Sequence, residues 1–150
     1  GLVVGATVDR SELGLTDELL RGAPILAPGF GTQGAEPADL PRLYEMQRDP
    51  DANCMAATVP RTRDVFDAHW AKILADPQVI ARAVLAGDEL AGCINCFTSD
   101  GQDHVGYWVD RRFWGRGIAN RALQLLLREV ATRPLYAAVA TNNAASLRVL

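Results

Sequence analysis

The segment from Val105 onward places a strand pattern, a glycine turn and a helix pattern in direct succession. The strand pattern ends at Val109, the turn contains Gly115 and Gly117, and apolar residues then recur at helical spacing from Ile118. A glycine turn that opens into a helix stacks free backbone N–H groups at the positive end of the helix dipole. The sequence therefore predicts a strand, a loop and a helix that together form a site for an anion such as a pyrophosphate.

The residues of the turn indicate which kind of anion site this is. At this turn the chain has neither the Gly-x-Gly-x-x-Gly of dinucleotide-binding folds nor the Gly-x-x-x-x-Gly-Lys of nucleoside-triphosphate loops. Residues 114–119 read Trp-Gly-Arg-Gly-Ile-Ala. They resemble the pyrophosphate loop of the GNAT superfamily of N-acetyltransferases, whose pattern is Gln or Arg, two residues, Gly, one residue, and Gly or Ala. Gly117 and Ala119 match this pattern, whereas Trp114 stands in the place of Gln or Arg.

A second match lies downstream, in the order that the family has. Residues 142–150 begin a helix pattern, and the family's Asn-x-x-Ser falls on Asn143 and Ser146. A spacing of three places both side chains on one helix face, so both can point at the same ligand. With Trp114 in the loop and Tyr107 and Trp108 at the preceding strand end, the chain resembles the branch that contains the ribosomal-protein N-terminal acetyltransferases.

The resemblance implies a fold, an activity and a cosubstrate. The fold is α/β (α+β) and GNAT-like, with a mixed, mostly antiparallel central sheet flanked by helices. The activity is transfer of an acetyl group from acetyl-CoA to a primary amine, in a small molecule or at a protein N-terminus, by direct attack in a ternary complex. The family's chemistry requires no metal.

The resemblance also assigns site residues. In the family, the strand before the loop splays from its neighbour and leaves backbone groups free to bind the pantetheine arm and the acyl carbonyl. These groups map to Trp108, Val109 and Asp110, and we expect the N–H of the Val109 region to face the developing oxyanion. The cosubstrate-binding loop is expected to comprise Trp114, Gly115, Arg116, Gly117, Ile118 and Ala119, with packing as an alternative role for the Trp114 ring.

The second motif supplies a further contact and a candidate acid. Asn143 matches the position whose amide binds the cosubstrate arm, although Asn is also a good helix N-cap. Many relatives place a Tyr seven residues after this Asn, where this chain has Leu150. Ser146 is then the candidate acid for the departing thiolate, with helix capping or packing as the alternative. The sequence does not identify the general base. Four side chains have suitable chemistry, and no spacing or motif selects among them: His104, Asp103, Tyr107 and Glu45.

Charge is divided unevenly along the chain. Residues 1–104 hold 8 basic and 16 acidic side chains, residues 105–150 hold 7 arginines against Asp110 and Glu129, and the whole chain carries −3. The basic part suits a polyphosphate, and the acidic remainder suits a cationic amine but not nucleic acid. Additional phosphate contacts, or simple solvated surface positions, are expected for Arg111, Arg112, Arg116 and Arg121.

Length and composition favour one enzyme domain. A chain of 150 residues, 49% of them hydrophobic, can bury a substantial core. It contains neither the ~18 consecutive apolar residues of a membrane span nor a signal-peptide pattern, so we expect a cytoplasmic protein without a membrane partner. A homodimer is left open as the assembly.

Three cysteines provide no disulfide framework. Cys93 and Cys96 form a Cys-x-x-Cys, but they fall in a predicted strand, where residues three apart point to opposite faces. Zinc would need two further ligands, and the chain offers only Cys54, His69 and His104. Both thiols are therefore predicted to be buried and structural.

The remaining patterns outline the domain. Residues 1–34 are rich in Gly, Pro and Thr and are predicted to be an irregular N-terminal extension, with a hint of a short helix at 11–20, while residues 35–150 form the acyl-CoA-binding domain. Helices are predicted at 36–46 and after Thr62, a hairpin at 79–97 around Gly87, and a buried strand at 135–140. The helix after Gly117 is predicted to bury Ile118, Ala122, Leu126 and Val130 against the sheet.

Two departures from the family pattern define the alternatives. The usual first strand is hard to see in residues 27–34, and relatives continue beyond the position of Leu150 into a strand and a final hairpin. The resemblance therefore implies a domain that lacks its C-terminal strands. The leading hypothesis is an acetyl-CoA-dependent N-acetyltransferase, and the alternative is a catalytically silent acyl-CoA-binding module. A third, weaker reading is an interaction domain in which the glycine turn is structural.

Overall fold

A five-stranded mixed sheet organises the protein, seen in a computed structural model that describes residues 2–3, 24–28 and 38–150. The strands follow one another across the sheet in chain order. The first pair is parallel and the other three pairs are antiparallel. The strands are β1 (Leu2–Val3), β2 (Pro24–Pro28), β3 (Ile80–Ala86), β4 (Glu89–Ser99) and β5 (Gln102–Val109). The predicted fold class is confirmed.

The N-terminal residues contribute to this sheet, which corrects the expectation that residues 1–34 are irregular throughout. The whole of β2 pairs with β3, with Pro24 opposite Ala86 and Pro28 opposite Arg82. The sequence signal was weak because prolines at both ends of the strand are typical of loops, yet they are tolerated at strand ends. The helix suggested at 11–20 lies outside the described residues.

Five helices accompany the sheet in the described part of the chain. They are α1 (Asp39–Met46), α2 (Pro50–Ala56), α3 (Arg63–Ala75), α4 (Ile118–Glu129) and α5 (Ala144–Val149), with a 3-10 turn at Arg111–Phe113. Thr62 does occupy the N-cap position of α3, but its side chain makes no capping hydrogen bond. Helix α2 was not predicted, although Asp49 at its N-cap and Pro50 in its first turn are ordinary helix-start signals.

The sheet separates two hydrophobic cores. On one face, α1 and α3 bury Leu43, Phe66 and Trp70. On the other face, α4 packs through the residues predicted from its periodicity, and all four are buried: Ile118, Ala122, Leu126 and Val130. Leu126 has no exposed surface, because it faces the sheet from the middle of the helix. This packing fixes the N-terminus of α4 above the end of β5.

The Cys-x-x-Cys pair straddles the sheet as predicted. Cys93 belongs to the core under α1 and α3, and Cys96 to the core under α4, and both are free thiols. Burial raises the pKa of the Cys93 thiol to about 12, although an N–H group of Trp108 opposes this shift. Among the described residues, no three His, Cys, Asp or Glu side chains are grouped to hold a metal ion.

Residues 135–140 correct the prediction of a buried strand. They form one parallel bridge, from Tyr136 to His104, and the chain then leaves β5. Tyr136 donates its N–H to the Asp103 carbonyl and accepts from the Val105 N–H, both at 2.8 Å. The apolar run suggested a full ladder, but after this bridge it makes no further pairing in the described part of the chain. Residues 136–138 are exposed, and 135, 139 and 140 are half-buried.

No helix among the described residues has the length and apolar character that crossing a bilayer requires. The cytoplasmic location and a homodimer stay predictions.

Candidate functional site

A cleft of about 390 Å³ lies between α2, the end of β5, the glycine loop and α5. Its wall is mostly apolar, and the only charged side chain that lines it in the described part of the chain is Arg148. The lining residues that the sequence predicted are Trp108, Val109, Trp114, Gly115, Gly117, Ile118, Ala119, Asn143 and Ser146. Two predicted residues, Asp110 and Arg116, do not line it.

The edge of β5 that faces away from β4 opens into this cleft. Asp110 donates its N–H to the Ala91 carbonyl of β4 at 2.8 Å. Main-chain groups alternate along a strand, so those of Val105, Tyr107 and Val109 face the other edge. Val105 uses its N–H for Tyr136, and beyond that point the neighbouring chain has diverged. The predicted splay is therefore present, and the Val109 N–H faces the opened edge.

The glycine loop has the backbone conformation that its residues suggested. Gly115 and Gly117 have φ angles of 73° and 72°, a left-handed conformation that side chains disfavour. No atom lies within 4 Å of a Cβ built on either residue, so the space above the loop is open. The first intrahelical bond of α4 runs from Arg121 N–H to the Gly117 carbonyl, which leaves the N–H groups of the preceding turn without helical partners. A helix start of this kind suits an anion, and its role toward a ligand stays a prediction.

Trp114 ties the loop to the strand. Its indole Nε1 donates to the Val109 carbonyl at 2.9 Å, while 42% of the residue remains exposed. The ring therefore fixes the distance between the β5 end and the loop and still offers an open face to the cleft. The packing and ligand-contact alternatives are compatible in this geometry.

The Asp110 side chain stabilises the 3-10 turn and does not line the cleft. Its carboxylate caps the 3-10 turn by accepting from the Arg112 N–H at 2.9 Å and from Arg112 Nε at 3.0 Å. Arg42 Nη2 lies 3.4 Å away on the other side. Burial alone would raise the pKa of Asp110, but the bonds from Arg112 outweigh it and the pKa is lowered. The carboxylate thus holds the turn that leads from β5 into the loop.

The arginines before the loop pair with carboxylates from the acidic part of the chain. Arg111 contacts Asp49 at 3.3 Å and also pairs with Asp51, and Arg112 contacts Glu89 at 2.7 Å. In this structure both guanidinium groups have anionic partners and remain about half exposed, so contact of these two side chains with a phosphate stays a prediction. The Arg116 guanidinium lies over the Phe113 ring at 5.4 Å, outside the cleft wall.

Asn143 uses its side chain to join α5 to α2. Its Oδ1 accepts from the Ser146 N–H at 3.0 Å, which is an N-cap bond, and its Nδ2 donates to the Met55 carbonyl at 3.0 Å. The capping alternative considered from the sequence is thus realised. The residue also lines the cleft, so its role toward a ligand stays a prediction.

Ser146 faces Tyr107 across the cleft floor. The Tyr107 hydroxyl donates to Ser146 Oγ at 3.0 Å, and this bond connects β5 to α5. Among the candidates for a general base, Tyr107 is the one that lines the cleft; Glu45, Asp103 and His104 do not. His104 is stacked on Phe97 with ring centroids 5.8 Å apart.

Part of the wall was not predicted. Helix α2 contributes Ala52, Met55 and Ala56, and α5 adds Ala145, Arg148 and Val149. Small and apolar residues of this kind occur on any helix that faces a core. Only the tertiary structure therefore shows that they line a cleft. The start signals at Asp49 and Pro50 would have located α2 but not its function.

Comparison with known proteins agrees with this geometry. Residues 33–150 match the family model of the acetyltransferase (GNAT) domain. The fold is similar to an acetyltransferase from Thermus thermophilus, with 20% identity and a TM-score of 0.66 over 83% of this chain and 81% of that one. It is also similar to RimL, a ribosomal alpha-N-protein acetyltransferase in complex with coenzyme A, with 19% identity and a TM-score of 0.63 over 77% and 73% of the two chains. At these identities the likeness concerns the fold.

A further similarity joins the chain to a curated protein of another kind. Orotidine 5'-phosphate decarboxylase of Streptomyces coelicolor is 54% identical over 44 residues, which are 29% of this chain and 15% of the decarboxylase. The chain thus spans a small part of that relative, and the match assigns no activity here. The family model, in contrast, covers most of the chain and includes every residue of the cleft. The chain therefore belongs to the GNAT acetyltransferase family.

Proposed function

We propose that this protein transfers the acetyl group of acetyl-CoA, the cosubstrate of its family, to a primary amine by direct attack. The observation that carries the proposal is the meeting of two backbone features at one cleft. These are the opened edge of β5 at Val109 and the unpaired N–H groups at the start of α4. Acetyl-CoA carries both a thioester and a pyrophosphate, so its binding needs both features in one cleft.

The loop suits the pyrophosphate and the cleft wall suits the arm that follows it. The N–H groups at the start of α4 have no helical partners and lie at the positive end of the α4 dipole. Between this loop and the open strand edge, the wall is lined by Met55, Phe113 and Val149. These apolar surfaces can exclude water from the acyl group, which strengthens every polar contact made there.

The Val109 N–H is proposed to stabilise the oxyanion that forms when the amine attacks the thioester. It points to the opened edge, and its strand is held by the β4 ladder on the other side. A preorganised N–H costs no reorganisation during the reaction, and the loss of one such donor reduces kcat by roughly 10²–10³-fold in known cases. The Trp114 indole, bonded to the Val109 carbonyl, holds the adjoining peptide unit of the strand in place.

The acceptor is proposed to be a primary amine of low pKa, such as a protein α-amino group. In the described part of the chain, no Asp, Glu or His side chain lines the cleft that could remove a proton from the amine. An α-amino group has a pKa near ~8 and is partly neutral at pH 7, whereas a lysine amine near ~10.4 would need a base. A small amine of similarly low pKa fits the same reasoning.

A second candidate is a module that binds acyl-CoA without turnover. The same lack of a base along the described cleft wall favours it, together with Leu150 at the position where many relatives have Tyr. The two candidates share a binding site and differ in catalysis. A binding measurement followed by a turnover measurement on one sample separates them.

The test is calorimetric titration with acetyl-CoA, followed by thiol release on adding α-amino peptides, small amines and lysine-containing peptides. Binding followed by release with low-pKa amines supports the transferase, and binding without release with any amine supports the silent module. A folded protein that binds no acetyl-CoA contradicts both.

The Gly117→Gln variant tests the role of the loop. Gly87→Gln is the matched control, because Gly87 has a φ of 63° and an equally open surrounding in the β3–β4 turn, away from the cleft. Weaker binding is expected from the first variant only. Equal acetyl-CoA affinity in both folded variants would support a purely structural glycine turn.

A further inference from the structure

We infer that Tyr107 is a positioning residue for the proton that Ser146 gives to the departing thiolate. The inference rests on the proposed function and extends it to a residue to which the family pattern assigns no role. Both side chains line the cleft, and they are joined by the hydrogen bond of 3.0 Å between their hydroxyl oxygens.

The direction of this bond determines what Ser146 can do. A hydroxyl has one proton to donate and two lone pairs to accept with. A phenol is more acidic than an alcohol, so Tyr107 is the better donor of the pair, and with Tyr107 donating the serine keeps its own proton for another partner. Ser146 lines the cleft wall, so its proton is available to a group bound there.

The backbone that carries each of the two hydroxyl groups is fixed by hydrogen bonds. Ser146 lies in the first turn of α5, where its N–H is bound to the Asn143 cap, and Asn143 is bound to Met55 of α2. Tyr107 is fixed in β5 by the ladder, with Ile94 of β4 directly opposite. The two hydroxyls therefore approach each other from two separately supported elements, as a preorganised pair.

Every proton and electron pair is accounted for in the departure of the thiolate. When the tetrahedral adduct collapses, the C–S bond breaks and its electron pair goes to sulfur. Ser146 transfers its proton to that sulfur, and the charge that develops on Oγ is stabilised by the Tyr107 O–H, or neutralised by transfer of the phenol proton. A bare serine hydroxyl is a weak acid, and a donor at 3.0 Å supplies the stabilisation that it lacks. The proton is later restored from the amine that has become an amide, through solvent.

The first test compares Tyr107→Phe, Ser146→Ala and the double variant in single-turnover thiol release from acetyl-CoA, with an amine that gives turnover. Ser146→Ala is expected to lower the rate about 10²–10⁴-fold and Tyr107→Phe to lower it by a smaller factor, with the acetyl-CoA Kd of each variant within about threefold of wild type. If the two residues form one unit, the double variant is no slower than the slower single variant, within about twofold. Independent roles would multiply the two effects.

Two controls separate this role from a structural one. Ser146→Thr keeps the hydroxyl and is expected to restore most of the rate lost in Ser146→Ala. Tyr136→Phe removes a phenol oxygen from an exposed tyrosine outside the cleft and is expected to leave the rate within about twofold of wild type.

The outcomes also distinguish the inference from the proposed function. Turnover by wild type with an unaffected Tyr107→Phe variant overturns the inference and leaves the transferase standing. The inference is also overturned if the rate effects multiply in the double variant, or if the variants weaken acetyl-CoA binding without lowering the rate. A folded wild type that binds acetyl-CoA but never releases thiol overturns the proposed transferase, and the inference with it.

Discussion

Gly92 of β4 lies so near the backbone of β5 that it leaves no room for a side chain. A Cβ built on Gly92 would lie 1.9 Å from the Trp108 carbonyl oxygen and 2.9 Å from its carbonyl carbon. Both atoms belong to backbone, so no side-chain rotation can relieve the contact. We therefore expect Gly92→Ala to be one of the most destabilising single methyl additions in the sheet.

The magnitude follows from the movement that the methyl group requires. To reach even 3.0 Å, the oxygen and the new carbon must separate by a further 1.1 Å. The neighbouring bond from Asp110 N–H to the Ala91 carbonyl is 2.8 Å, and an opening of that size would break it. Overpacking costs about 1–3 kcal/mol and a lost backbone bond about 1 kcal/mol, so we expect a decrease of about 3 kcal/mol in the free energy of unfolding.

Gly106→Ala is the matched control in the same strand pair. A Cβ on Gly106 would meet Phe97 Cε1 at 3.7 Å, which is an ordinary contact. The expected change is within about 1 kcal/mol, since replacing Gly also reduces the entropy of the unfolded chain. Urea unfolding followed by tryptophan fluorescence measures both variants. Equal stability of Gly92→Ala and Gly106→Ala would refute the reasoning, because it would mean that the close approach at Trp108 costs nothing.

The remaining predictions concern a cap, a core residue and the thiols. Asp110→Asn should lower stability by about 1–2 kcal/mol at pH 7. Because the folded pKa of Asp110 is depressed, this difference is complete above the unfolded value near ~3.9 and is lost as the pH falls through the folded pKa; a difference in urea titrations that does not shrink as the pH is lowered below ~3.9 would contradict the reasoning. Leu126→Ala should cost about 2–5 kcal/mol by the same assay, since Leu126 has no exposed surface, and a cost under about 1 kcal/mol would exclude this packing. Iodoacetamide at pH ~8 should modify exposed Cys54 in the native protein and leave Cys93, with its pKa of about 12, unmodified until the protein unfolds; equal labelling rates by mass spectrometry would disprove the burial of Cys93.

Local patterns were sufficient wherever the chain itself sets the structure. The periodicity after Gly117 predicted which face of α4 is buried, and alternation predicted that Cys93 and Cys96 lie on opposite sides of the sheet. The positive φ angles of the loop follow from its glycines, because other residues adopt them at a cost. These features depend on neighbours along the chain, so a sequence contains the information for them.

Other features depended on contacts between residues far apart in the chain. Residues 135–140 have the apolar composition of a strand, but pairing is a property of two segments, and it stops at Tyr136. Arg111 and Arg112 have the charge for a phosphate, but carboxylates about 60 and 20 residues away occupy them. Asp110 follows the strand end, where the resemblance expects backbone groups to face the cosubstrate, yet its N–H is bonded to the Ala91 carbonyl of β4 and the residue does not line the cleft.

The sequence by itself determined that a strand, a glycine loop and a helix follow one another, and it determined the family. Tertiary structure alone placed α2 against α5 through Asn143 and Met55 and brought the Tyr107 hydroxyl to Ser146, 39 residues apart in the chain. The physical reason is that backbone conformation and amphipathic periodicity are local, whereas a hydrogen bond between side chains of two elements exists only after both elements have packed on the sheet.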